Sequence, residues 1–166
     1  MAEAKRSATK STTKMPDAIQ LLTAEHKEVN AMFKEYQKLV DNDAAAAEKE
    51  ALARQICLML TVHATTEEEI FYPAAREAID DEDLLDEAEV EHGSAKELIA
   101  QIEASTPDEP LYDAKVKVLG EYVEHHVKEE EGELFPKAKK AKLDLAMLGE
   151  QIAARKEELM PEMAAE

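Results

Sequence analysis

Four stretches of this sequence carry apolar residues at intervals of three or four, and each apolar stripe contains one histidine. These histidines are His26, His63, His92 and His126. Intervals of three and four place side chains on one face of an α-helix. Glycine occurs only 4 times in 166 residues, so the composition also favours helices over strands. The sequence therefore predicts an all-α protein in which four helices each turn a histidine towards a common core.

Turn signals separate the predicted helices at 41–43, 79–83 and 105–110. The first helix follows Asp17, and the second runs from about Ala44 to the region of Glu77. Pro73 is expected to kink the second helix or to end its regular part, because proline lacks the N–H of a helix interior. Four helices with short connections predict an up-down-up-down four-helix bundle.

The two ends of the chain differ from the bundle. A further amphipathic stretch, about 140–159, predicts an extra C-terminal helix packed outside the four. We expect residues 1–15 to be a disordered polar tail, residues 16–141 to form the bundle domain, and residues 142–166 to be a C-terminal helical extension.

Charge and cysteine content limit the partners and the compartment. The formal net charge is −18, and such a surface repels nucleic acids and anionic membranes. No apolar run approaches the ~20 residues of a membrane-spanning helix. The single cysteine, Cys57, lies in an apolar run, which indicates a buried inert thiol and a reducing compartment. We therefore expect a cytoplasmic protein that binds neither nucleic acid nor membrane.

The depths of the four histidines agree across three predicted turns. In an antiparallel hairpin, two residues lie at the same depth when the turn falls midway between them. The midpoints between successive histidines fall near residues 44, 78 and 109, each at or beside a predicted turn. Because a helix rises only ~1.5 Å per residue, small errors in these turns hardly change the depth. The four imidazoles are therefore predicted to share one layer of the bundle.

Two glutamates join this layer. Glu67 follows His63 by four positions, and Glu130 follows His126 by four, so each pair shares a helix face. An ionised glutamate in an apolar core costs several kcal/mol unless it is paired or bound to metal. The inward stripes near this layer carry no Lys or Arg. A single core histidine is usually a satisfied packing residue, but one in each of four helices at one depth predicts a metal pair.

The motifs around these residues resemble the hemerythrin family, and most closely its bacterial branch of HHE cation-binding domains. The matching pieces are Ala24-Glu25-His26, Thr61-Val62-His63-Ala64-Thr65-Thr66-Glu67-Glu68-Glu69-Ile70-Phe71-Tyr72-Pro73, Val90-Glu91-His92, His126-Val127-Lys128-Glu129-Glu130-Glu131 and Leu134-Phe135-Pro136. The resemblance implies a four-helix bundle that holds two Fe ions as an oxo- or hydroxo-bridged di-iron centre. It makes Glu67 and Glu130 the bridging ligands, and the four histidines the terminal ligands.

Two positions depart from oxygen-carrying members of that family. They have a second histidine one turn after the third-helix ligand, where this chain has Lys96. Their last carboxylate is an Asp five residues after its histidine, whereas Glu130 follows His126 by four. With one histidine fewer, two octahedral ions keep two free positions instead of one. The resemblance thus implies a more open site, which argues against reversible O2 storage.

Several functions remain open at this stage. The first is a di-iron protein that senses or removes O2, NO or peroxide, with or without enzymatic turnover. The second is iron binding or buffering without turnover, and the third is a helical partner-binding module whose histidine layer is incidental. Zinc or manganese would also suit these ligands. Glu91 and His125 are weaker candidates for a free metal position, Tyr36 and Tyr122 are candidates for lining the pocket, and no protein partner is identified.

Overall fold

The computed structural model describes residues 14–165, so most of the predicted polar tail lies outside the described residues. The helices are α1 (Ala18–Asp41), α2 (Ala46–Thr66), α3 (Tyr72–Ala78), α4 (Glu82–Glu103), α5 (Tyr112–Glu129), α6 (Phe135–Lys140) and α7 (Leu145–Ala164). The described part of the chain contains no strand. Within it, no helix combines the length and apolarity needed to cross a membrane.

Four helices, α1, α2, α4 and α5, pack side by side in a ring. α1 packs against α2 and α5, and α4 packs against the same two helices. This arrangement confirms the predicted all-α up-down-up-down four-helix bundle. α7 is the extra C-terminal helix, and it packs on the outside against α1 and α2.

Aspartates cap the beginnings of three helices. The Asp17 side chain accepts a hydrogen bond from the Gln20 N–H at 2.9 Å, and the Gln20 side chain accepts one from the Asp17 N–H at 3.0 Å. This reciprocal pair satisfies two N–H groups that have no partner within α1. Asp81 and Asp144 cap α4 and α7 through their side chains. These caps fix where each helix starts, and hence the depth of the residues it carries.

Two π-helical turns interrupt the bundle helices in equivalent places. One spans Glu67–Phe71 between α2 and α3, and the other spans Glu130–Leu134 between α5 and α6. The chain continues through Pro73 as helix as far as Ala78, although the regular α-helix ends at Thr66, before the π turn. Pro73 lies in the first turn of α3, where a missing N–H costs little.

Two apolar clusters fill the bundle on either side of the histidine layer. The cluster at the π-turn end includes Leu22, Phe71, Leu85 and Leu134. The cluster at the other end includes Val29, Ile56, Cys57, Ile99 and Leu119. The polar layer therefore lies between two cores from which most water is excluded.

Candidate metal centre

Six side chains from the four bundle helices meet between the two apolar clusters. They are the six residues selected from the sequence: His26, His63, Glu67, His92, His126 and Glu130. The two Nε2 atoms of His26 and His63 are 3.2 Å apart, and those of His92 and His126 are also 3.2 Å apart. Glu67 and Glu130 are almost fully buried, with 0% and 2% of their surface exposed.

These side chains form two groups that share both glutamates. The first group is His26, His63, Glu67 and Glu130, and the second is Glu67, His92, His126 and Glu130. Within each group, one ligand atom per residue lies within 4.8 Å of the others. Two cation positions with two common carboxylates are therefore available side by side, which is the arrangement of a bridged metal pair.

A glutamate faces the outer ring nitrogen, Nδ1, of every one of these histidines. The Nδ1-to-carboxylate distances are 3.1 Å for His26 and Glu131, 2.9 Å for His63 and Glu25, 3.7 Å for His92 and Glu68, and 3.2 Å for His126 and Glu91. Each glutamate lies on a different helical segment from its histidine. At three of the four histidines the carboxylate lies within hydrogen-bond distance, so it holds the proton at Nδ1 and leaves the Nε2 lone pair free to bind a metal. The Nδ1 atom of His92 has no hydrogen-bond partner.

The described buried side chains at the centre include no Lys or Arg to balance the carboxylates of Glu67 and Glu130. Lone pairs on paired Nε2 atoms would face one another at 3.2 Å. Neither carboxylate oxygen of Glu67 has a hydrogen-bond partner, although the imidazole of His63 lies against it. Glu130 Oε1 is also without one. Because buried carboxylates that lack hydrogen-bond partners are costly, cations bound among these atoms would stabilise them. Imidazole nitrogen and carboxylate oxygen suit iron, and also zinc or manganese.

The pKa values of two histidines in the metal-free protein reflect the same excess of negative charge from the buried glutamates. Burial lowers the pKa of His126, but the hydrogen bond to Glu130 and its charge outweigh burial and raise that pKa to about 9. For His63, burial is likewise outweighed, here by the charge of Glu67, and the pKa lies well above its usual value. Protons on imidazoles therefore supply, without metal, part of the positive charge that cations would supply.

Tyr72 is a buried residue of the centre that the sequence analysis missed. Its hydroxyl donates a hydrogen bond to Glu130 Oε2 at 2.6 Å and lies 3.1 Å from His92 Nε2 and 3.2 Å from His126 Nε2. Burial, together with the charges of Glu67 and Glu130, raises the pKa of Tyr72 well above its usual value. The phenol is therefore a neutral hydrogen-bond donor within the second group of ligands.

The other candidates of the sequence analysis lie farther from the two groups. Tyr36 donates a hydrogen bond to Asp113 at 2.7 Å within the apolar cluster at the far end. Tyr122 is half-exposed and lines a cavity beside the histidines. His125 is exposed, and its Nε2 lies 3.2 Å from Glu129 on the surface.

Two further side chains take outer positions. Glu91 reaches Nδ1 of His126 rather than the shared centre between the two groups. Lys96, which stands where oxygen carriers have a fifth histidine, turns outwards to pair with Glu68. Of the described residues, the two groups draw only on the four histidines and two glutamates.

Comparisons with known proteins show the family and the fold of this chain. Residues 17–138 match the family of hemerythrin HHE cation-binding domains. A protein from Nostoc sp. (strain PCC 7120) named DNA nickase is 34% identical over 118 residues, which are 69% of this chain and 31% of that protein's length. A solved structure of a hemerythrin HHE cation-binding domain-containing protein from Mycobacterium kansasii superposes with a TM-score of 0.74. Its sequence identity is 24%, and the match covers 89% of this chain and 90% of that one.

Proposed function

This chain belongs to the family of hemerythrin HHE cation-binding domains, and we propose that its cation site holds a pair of iron ions. The proposed ligands are the four histidines His26, His63, His92 and His126, with Glu67 and Glu130 as bridges. We further propose that the loaded protein reacts with small ligands such as O2, NO or peroxide, in sensing or in detoxification. The iron pair would supply the exchange of electrons and the positions at which such a ligand binds.

One observation carries the proposal of a metal pair. Glu67 has 0% of its surface exposed, has no hydrogen-bond partner at either oxygen, and belongs to both groups of ligands. A lone cation would need only one of those groups. Two cations that share Glu67 and Glu130 satisfy both oxygens of each carboxylate.

The surrounding residues of the chain prepare the centre for reaction. Three outer glutamates, Glu131, Glu25 and Glu91, fix the ring orientation and the Nδ1 proton of the histidines that they contact. The apolar clusters exclude water, which strengthens the electrostatic interactions inside. Tyr72 keeps its proton and donates a hydrogen bond to Glu130 Oε2, beside His92 and His126, so the phenol holds this carboxylate in place.

The placement of Lys96 favours reactivity over reversible storage of O2. Its ammonium group is paired with Glu68, and its side chain is 49% exposed. The centre thus has four imidazoles and two carboxylates, one imidazole fewer than the resemblance implies for oxygen carriers. A metal pair with fewer protein ligands has more positions open to small molecules.

A second candidate function is iron binding or buffering without turnover. It is favoured by the acidic composition, with 38 Asp and Glu against 20 Lys and Arg. The same composition disfavours contact with a phosphate backbone, so we do not extend the nickase name of the relative to this chain. Reduction of O2, NO or peroxide at rates that depend on the bound metal would separate reaction from buffering.

The test begins with the metal content of protein purified without chelators and then loaded with Fe(II) under anaerobic conditions. We expect about two iron ions per chain, and altered visible absorption on addition of O2, NO or peroxide. Glu130→Gln should lose most of the bound pair, whereas Glu133→Gln, a matched change at an exposed glutamate three residues later, should keep it. Absence of stoichiometric metal after Fe(II) loading would contradict the proposal.

A further inference from the structure

An incompletely filled apolar layer lies one helical turn from the histidines, on the side away from the π turns. Its members are Val29, Leu60, Ala95 and Val123, one from each bundle helix and each three positions from the histidine of that helix. All four line a cavity of about 250 Å³, which is also bordered by the four histidines. Because this layer contains two valines and an alanine, it does not fill the space between the helices.

We propose that this cavity binds one small apolar organic molecule, of about the size of benzene to indole, against the histidine layer. An apolar cavity of about 150 Å³ in another protein is large enough to hold benzene. A water molecule takes about 30 Å³ in the liquid, so the space of about 250 Å³ is several times larger than a diatomic ligand requires. The volume therefore fits a ring compound better than O2 or NO alone.

The lining selects for an apolar guest. Besides the apolar layer, Ile99, Leu58 and Met59 contribute to the wall. Methionine side chains are flexible and polarizable, and they adapt to guests of different shape. Both lysines at the border are already paired, Lys96 with Glu68 and Lys156 with Glu25. A charged guest would find no unpaired partner in the apolar layer and would lose its hydration.

Exposed side chains on two of the bundle helices line the cavity. Lys96 on α4 and Tyr122 on α5 both line it, and they are 49% and 48% exposed, respectively. A guest in the cavity would lie against His92 and His126, which border it. Binding needs only the cavity, so this proposal stands separately from the identity of the metal and from the reaction proposed for it.

The experiment measures binding of benzene, toluene and indole to the full-length protein, both loaded with iron and after treatment with a chelator. We expect saturable binding of one molecule per chain, by headspace partitioning for the volatile ligands and by calorimetry for indole. In the chelated, diamagnetic protein, nuclear Overhauser effects should connect the ligand to the methyl groups of Val29 and Val123.

Two substitutions that fill the cavity test its location. Ala95→Leu should weaken binding at least tenfold, and Val123→Ile, which adds one methylene group, should weaken it by a smaller factor. The matched control is Ala100→Leu, an exposed position on the same helix, which should leave binding unchanged. Circular dichroism checks that each variant is folded, and iron content should equal that of the wild type in all three.

The proposal is overturned if none of the three ligands binds saturably to either form of the wild-type protein. It is also overturned if the ligand shows Overhauser effects only to surface residues, whatever the variants do. Loss of iron with retained ligand binding would contradict the proposed metal function alone. Loss of ligand binding with retained iron would contradict only the cavity proposal.

Discussion

Replacing Glu67 by glutamine should stabilise the metal-free protein and destabilise the metal-loaded one. The Glu67 carboxylate is fully buried, and neither of its oxygens has a hydrogen-bond partner. Glutamine has nearly the same shape, carries no charge, and can donate from its amide to a neighbouring imidazole lone pair. The substitution therefore removes the cost of the buried charge and leaves the packing of the core unchanged.

The size of the effect follows from the burial of this side chain. An unsatisfied buried polar group costs about 1–3 kcal/mol, and more when it is charged. A proton on His63, whose pKa is raised largely by the charge of Glu67, offsets part of that cost in the wild type. We therefore expect the metal-free variant to gain about 1–3 kcal/mol in the free energy of unfolding. Each kcal/mol corresponds to about 2–4 °C in Tm for a domain of this size.

Metal binding should make the wild type more stable than the Glu67→Gln variant. A ligand at about 1,000 times its Kd stabilises the folded state by about 4 kcal/mol, provided that it does not bind the unfolded chain. The wild type should gain this stabilisation on addition of iron, whereas the variant, without one bridging carboxylate, should gain little.

The assay is urea denaturation followed by circular dichroism, with chelator in one series and with anaerobic Fe(II) in the other. The control is Glu69→Gln, since Glu69 is exposed and its ion pair with Arg155 is on the surface. That control should change stability by less than about 1 kcal/mol in both series. A metal-free Glu67→Gln protein that is less stable than wild type by more than the control would refute the argument from the unpaired carboxylate.

Three further changes test separate parts of the structure. Tyr72→Phe removes the donor to Glu130 Oε2 at 2.6 Å, and it should preserve iron stoichiometry while changing the visible spectrum and the rate of reaction with peroxide. Gly149→Ala should destabilise the protein by about 1–3 kcal/mol in urea denaturation, because a Cβ there would lie 2.7 Å from a backbone oxygen at the start of α1. Gly93→Ala, where a Cβ meets nothing within 4 Å, should instead stabilise by about 0.5–1 kcal/mol. Burial raises the pKa of Cys57 to about 12, so the native thiol should remain protonated and unmodified by a disulfide reagent at pH 8, and should react only after unfolding.

The architecture could be predicted because its determinants are local. Apolar periodicity identified the four helices, and the positions of three turns placed four histidines at one depth. Those histidines and the two glutamates do lie together in the structure. Short connections make neighbouring helices antiparallel, and no further contact between distant residues has to be known to place the histidines at one depth.

The glutamates that contact the Nδ1 atoms of the histidines could not be identified from periodicity and turn positions. Glu25 is next to His26 in the sequence, yet its carboxylate reaches His63 on α2, and Glu91 beside His92 reaches His126 on α5. Neighbouring positions on a helix point about 100° apart, so a residue beside a ligand is directed towards the adjacent helix. Which adjacent helix it meets depends on the order of helices around the bundle, which periodicity does not contain.

Tyr72 escaped the analysis because of the π turn that precedes it. In a regular α-helix, Tyr72 would be rotated away from the face that carries Glu67, which stands five positions earlier. The π turn adds one residue to a helical turn, as the hydrogen bond from the Tyr72 N–H to the Glu67 carbonyl oxygen shows. Later residues are thereby displaced around the helix by about 100°, and Tyr72 reaches the centre.

The residue that follows each π turn makes the two candidate metal positions unequal. The chain repeats its His-x3-Glu motif, and the residue that corresponds to Tyr72 in the second copy is Phe135. The Phe135 ring stacks on His26, with centroids 6.0 Å apart and planes 3° from parallel, and it offers no hydrogen bond. The hydroxyl of Tyr72, by contrast, lies against His92 and His126. Among the described residues, only the group of ligands that contains His92 and His126 thus has a phenol beside it, and because that phenol donates a hydrogen bond to Glu130 Oε2, the two candidate positions differ in how the carboxylate they share is hydrogen-bonded.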